Sequence, residues 1–76
     1  MTTGELCRAV VKAQEIHEAS WNADPVKPIY SKSFEVSIQE AMREMDLIAT
    51  DADLALAHFL MDHAWNDVQD WAKEMA

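Results

Sequence analysis

The chain has very little that would break a helix or lock a fold from outside. One glycine, Gly4, and two prolines, Pro25 and Pro28, are its only strong breakers in 76 residues, which leaves long stretches free for helices. One cysteine, Cys7, excludes a disulfide within the chain, and a lone thiol is the usage expected of a reducing compartment. No apolar run approaches the roughly 18 residues that a membrane span needs, and no charged segment followed by an apolar one opens the chain as a secretion signal would. The expectation is a cytoplasmic protein. Cations are scarce too: six Lys and Arg stand against fourteen Asp and Glu, a net charge of −8. That balance disfavours nucleic-acid phosphates and anionic membranes and favours a basic protein surface. It also keeps a small protein soluble.

A chain of this length forms one helical domain over residues 1–76 and buries only about 60% of the surface its unfolded state exposes. Without disulfides, oligomerisation or a partner is the remaining source of added stability.

Thr2 and Glu5 have the spacing of a capping box, which predicts a first helix over residues 3–22, closed by Pro25. Leu6, Ala9, Val10, Ala13, Ile16, His17, Ser20 and Trp21 share its core side. The two prolines make residues 23–32 an extended, ordered crossing, and no strand pattern stands out. Ser33 is the expected N-cap of a second helix over 33–49, with Phe34, Ile38, Ala41, Met42, Met45, Ile48 and Ala49 inward. Thr50 and Asp53 repeat the capping-box spacing and open a third helix over 51–75. Its core stripe runs through Leu54, Ala57, Met61, Ala64, Trp65, Val68, Ala72 and Met75. The expected fold class is therefore all-α, a small three-helix bundle.

The segment LALAHFLMDHAW, residues 54–65, is apolar nearly all round. Its Leu56, Phe59, Leu60 and His63 fall away from the core stripe, and a three-helix bundle has no further layer to cover them. They are the expected self-association residues of a homodimer built through helix 3.

No cluster names a reaction. His58 and Asp62, four apart on one helix flank, supply two metal ligands where a zinc site needs more. Cys7 and His17 lie ten residues apart on one helix, about 15 Å at 1.5 Å per residue, and form no dyad. His17 itself reads as a core histidine bonded to a backbone carbonyl or a side chain. The carboxylate pairs of EIHE (15–18) and DVQD (67–70) have the form of magnesium ligands in all-helical nucleotide hydrolases, a remote alternative, because Glu15 and Glu18 face solvent. No metal, cofactor or catalytic residue is expected.

Acidic residues gather where helices 2 and 3 meet: Glu40, Glu44, Asp46, Asp51 and Asp53, with Arg43 the one cation among them. Asp51 and Asp53 suit a helix N-terminus. Glu40 and Glu44 have no such explanation. With Phe59 or Trp71 as an apolar anchor, these residues make the expected partner-binding surface. The functional expectation is a small acidic, non-enzymatic binding protein, an inhibitor or modulator that occupies a basic, nucleic-acid-handling surface of a host protein, in the manner of small phage or mobile-element proteins. The alternative is a structural or assembly module that self-associates through helix 3.

Overall fold

The computed structural model describes residues 1–75 and is mostly helical: α1 (Thr3–Ala19), α2 (Phe34–Glu44), α3 (Asp51–His63) and α4 (Trp65–Glu74), with two short strands, β1 (Trp21–Asn22) and β2 (Ile29–Tyr30), between α1 and α2. The all-α expectation holds, with four helices in the described residues instead of three.

Helix starts follow the sequence closely. Thr2 accepts from the Glu5 backbone N–H at 3.1 Å while the Glu5 carboxylate accepts from the Thr2 N–H at 2.8 Å. Thr50 and Asp53 repeat this exchange at α3, at 3.2 and 3.0 Å, and the Ser33 hydroxyl caps α2 through the Val36 N–H. Each cap satisfies N–H groups that the first helical turn leaves unpaired.

Helix ends differ from the expectation, and each has a local cause. α1 stops at Ala19 and not at residue 22, because the chain after it enters a hairpin. The Ser20 hydroxyl donates to the His17 carbonyl at 2.6 Å, and the Ser20 carbonyl accepts from the Ser31 N–H at 3.0 Å. Trp21 and Asn22 then pair antiparallel with Tyr30 and Ile29, so Trp21 leaves the helical core face and is half exposed. At the hairpin tip the Asp24 carboxylate accepts from the Val26 and Lys27 N–H groups, an Asx turn. The residues expected to form an extended crossing therefore make a turn and one strand, β2, which pairs with β1 from the expected end of the first helix.

α2 ends at Glu44, five residues before the expected Ala49. The Leu47 N–H reaches back to the Met42 carbonyl at 2.8 Å and the Asp46 N–H to the Arg43 carbonyl at 3.1 Å. This is a Schellman closure, with Asp46 in the left-handed region at φ 57°. It turns Leu47 against the core and throws Ile48, expected inside, out to 92% exposure.

The expected third helix breaks at Ala64, whose φ −139° is not helical. A straight helix over the 24 residues 51–74 would run about 36 Å at 1.5 Å per residue, well past the roughly 25 Å of α1. The break lets the second half turn onto α1, where Met75 lies over Gly4. Gly4 is buried under the Met75 backbone, so close that a Cβ would overlap the Met75 carbonyl. Met75, expected in the core stripe, remains exposed at this edge.

The core is contributed mainly by α1 (Leu6, Cys7, Ala9, Val10, Ala13) and α2 (Ile38, Ala41, Met42), with Ala57 and Leu60 of α3 and Val68 of α4 closing it. Alanines at four of these eleven positions allow close helix approach. Leu60 corrects an expectation: read as an outward self-association residue, it is only 9% exposed and belongs to the core. On a wheel of about 100° per residue it falls beside Ala57 and Ala64, on the inward half of α3.

Candidate protein-binding surface

α3 carries two faces. The inward one holds Leu54, Ala57, Leu60 and Met61 against the rest of the molecule. On the opposite side Ala52, Ala55, Leu56, Phe59 and His63 are all exposed, Leu56 to 46% and Phe59 to 56%. These five fall within about 100° of the helical wheel, the width of a face that normally packs on something. Phe59 and His63 lie ring against ring at 4.7 Å, so the middle of the stripe is a small aromatic ledge. Asp51 and Asp62 border it on one side and Asp53 on the other. Three of the four expected self-association residues, Leu56, Phe59 and His63, are thus together on the surface, and Leu60 is not.

The expected acidic corner is reorganised by cations from outside it. Lys32 Nζ pairs with Glu40 at 3.0 Å and Lys12 Nζ with Glu44 at 3.1 Å. Both glutamates therefore have a structural explanation that their own helix does not disclose: they tie α2 to α1 and to the end of the hairpin. Such partly exposed pairs contribute about 0.2–1 kcal/mol each. Asp53 is occupied by its cap, and hydrogen bonds from the Thr50 backbone and hydroxyl hold its carboxyl below the usual value. Asp46 terminates α2, and Asp51 sits at the start of α3, where the helix dipole favours an anion. Trp71 is half buried against the core, which leaves Phe59 as the exposed aromatic of the expected pair.

The uncompensated carboxylates lie elsewhere. Between Arg43 and Lys73 the chain has 29 residues with seven acids and no Lys or Arg. Of these, Asp62, Asp67 and Asp70 are exposed on α3 and α4. Residues 44–76 hold eight acids and one cation, residues 1–43 six acids and five cations. Helix 2 read alone hides this asymmetry; a running charge count along the chain exposes it.

His17 Nδ1 lies 2.8 Å from the Lys32 carbonyl and its ring stacks on Tyr30 at 4.0 Å, so its backbone-carbonyl bond matches the expectation while its ring is only half buried. His58 packs edge-on against Phe34 at 5.2 Å. Cys7 is fully buried, and burial raises its thiol pKa, which keeps it protonated and unreactive. Glu15, Glu18, Asp67 and Asp70 are exposed, and no group of three or more His, Cys, Asp or Glu among the described residues is placed to hold a metal ion. A groove of about 510 Å³ between α1 and α4 is lined by Arg8, Lys12 and Lys73 together with Glu15 and Gln69. Lys12 already faces Glu44, which leaves Arg8 and Lys73 with Glu15 as the charged lining.

The class defined at this point is a small helical protein with one acidic half and an exposed apolar stripe. No family model matches the chain, and no curated protein or solved structure matches it.

Proposed function

We propose that the protein is a non-enzymatic binding protein that occupies a basic surface of another protein and so modulates or inhibits it. The observation that carries this reading is the cation-free stretch from Glu44 to Ala72, in which Asp62, Asp67 and Asp70 are exposed on α3 and α4 and Leu56 and Phe59 are exposed on α3. Apolar anchors at the centre of a patch with a charged rim are the usual anatomy of a protein interface. The same stripe suits a self-associating module, but a symmetric dimer through α3 would bring two strongly acidic halves together. A basic partner relieves that repulsion, and burial of Cys7 away from oxidants is compatible with action in a reducing compartment.

The test is capture of partners from the native cell, then association kinetics across a salt series. Since the Debye length falls from about 10 Å at 0.1 M to about 3 Å at 1 M salt, the on-rate for the captured partner should drop steeply. The Asp62→Asn, Asp67→Asn, Asp70→Asn triple variant should reproduce that drop at low salt, while Glu40→Gln with Glu44→Gln should change it less. Equal rates for all three proteins would show that the acidic half is a solvated surface without a binding role.

A further inference from the structure

Resting on that reading, we infer that the outward stripe of α3 is a docking face for one class of partner segment: an amphipathic helix whose apolar stripe is flanked by lysines or arginines. Three observations lead there. The stripe of Ala52, Ala55, Leu56, Phe59 and His63 repeats at three and four residues, which is the spacing another helix reads by fitting ridges into grooves. Small Ala52 and Ala55 leave room beside the projecting Leu56 and Phe59, so knobs from a second helix have slots to enter. The borders of the stripe are acidic on both sides, with Asp51 and Asp62 along one and Asp53 along the other, and no cation lies in the segment.

An extended partner fits less well. Strand addition needs an open strand edge, and the strands among the described residues are two residues long and lie beyond the end of α1, in the connection to α2. A second copy of the chain fits poorly as well, since it would bring two acidic-bordered stripes together without a cation on either. The 13 residues of α3 span about 20 Å at 1.5 Å per residue, so the complementary helix engages over three to four turns.

The probe is a synthetic helical peptide with leucines at i, i+3, i+4 and i+7 repeats and lysines at the remaining positions. Two controls accompany it, a scrambled peptide of identical composition and a striped peptide with glutamates in place of the lysines. Titrated into isotopically labelled protein, the striped lysine peptide should shift the amide resonances of Ala52, Ala55, Leu56 and Phe59. It should bind at least about tenfold more tightly than the scrambled one, the margin that one good anchor supplies. Phe59→Ser and Leu56→Ser, both at exposed positions and checked for unchanged helicity, should each lose most of that margin.

Equal binding of striped and scrambled lysine peptides, abolished by salt and indifferent to Phe59→Ser, would overturn the helix-docking inference and leave the acidic-surface reading standing. If neither lysine peptide binds at low salt, the acidic-surface reading fails with it. Binding of the glutamate peptide as tightly as the lysine one, or a wild-type dimer in sedimentation that Phe59→Ser splits, would likewise overturn the choice of a basic helix, the latter in favour of a second copy.

Discussion

Residues 1–43 and residues 44–76 differ in charge and in what they give to the core. The first part supplies eight of the eleven buried core side chains, five of the six cations and the hairpin. The second supplies three core side chains, Ala57, Leu60 and Val68, and eight of the fourteen acids. α1 and α2 supply eight core side chains and leave Val36 exposed, whereas α3 supplies two and leaves both Leu56 and Phe59 exposed. Apolar content alone therefore does not locate the core: α3 belongs to the most apolar segment of the chain, yet contributes only two of its side chains to the cluster.

The contrast is broken most directly by truncating one residue from each part. Ile38 is fully buried, and Ile38→Ala should cost about 2–5 kcal/mol from lost transfer energy and the cavity left behind. That is a large share of the stability of a domain this size, about 4–11 kcal/mol at the usual value per residue. Phe59→Ala should stay within about 0.5 kcal/mol, as surface changes generally do. Urea unfolding of the two variants decides it. A Phe59→Ala loss comparable to that of Ile38→Ala would mean that α3's outer face is already covered and would remove the basis for docking there.

Next in size is the seam that joins the two parts at Gly4. An added Cβ would meet the Met75 backbone, not a movable side-chain tip. Gly4→Ala should therefore cost about 1–3 kcal/mol of strain, offset by about 1 kcal/mol of better helix propensity. The net loss should appear as faster amide exchange over α4 while α2 stays protected. Uniform stabilisation would show that the close approach is absent in solution.

Much of this division is legible in the sequence. Thr2 with Glu5, Ser33, and Thr50 with Asp53 mark three helix starts because a cap is a local hydrogen bond between neighbours along the chain. Helix ends are not legible, since they depend on distant groups or on rare backbone. Ser20 meets Ser31 and Lys32 only once the hairpin closes, Asp46 occupies a conformation that glycine usually takes, and the break at Ala64 carries no Gly or Pro to announce it. The exposed stripe of α3 is legible in part. Leu56, Phe59 and His63 are exposed as expected, but Leu60, grouped with them, is buried, and the pairing of Glu40 and Glu44 with lysines from other elements is a tertiary fact.

The two capping boxes give each part its own pH response, smaller in effect than the seam. Hydrogen bonds from Thr2 hold the Glu5 carboxyl below its ordinary 4.5, and those from Thr50 hold Asp53 below its ordinary 3.8. A carboxylate whose pKa is lower folded than unfolded contributes stability that is fully present above the unfolded value and is lost as pH falls through the folded one. Both caps should thus be intact at neutral pH and weaken as pH falls below the ordinary values, 4.5 for Glu5 and 3.8 for Asp53. Thr50→Ala should cost about 1 kcal/mol at pH 7 and flatten the acid end of the stability curve. An unchanged acid limb in that variant would show that Asp53 is not held by the cap.

The smallest effect expected lies at the junction between the two parts, at Asp46. The Schellman closure of α2 needs a residue at positive φ, where asparagine is tolerated at least as well as aspartate. Aspartate also sets a negative charge beside the C-terminal end of the helix dipole, which favours cations. Asp46→Asn keeps the side-chain shape and the backbone tolerance while removing that charge, so it should stabilise the fold by about 0.3–1 kcal/mol. The gain should shrink as salt is added, because the dipole term is screened. Binding to a basic partner supplies the counter-test: if Asp46 belongs to the docking rim, the same variant lowers the on-rate. Greater stability with an unchanged on-rate would place the edge of the binding surface beyond the α2 terminus, within α3 and α4. A loss of stability would instead show that the Asp46 carboxylate has a favourable role at that terminus outweighing its repulsion from the dipole.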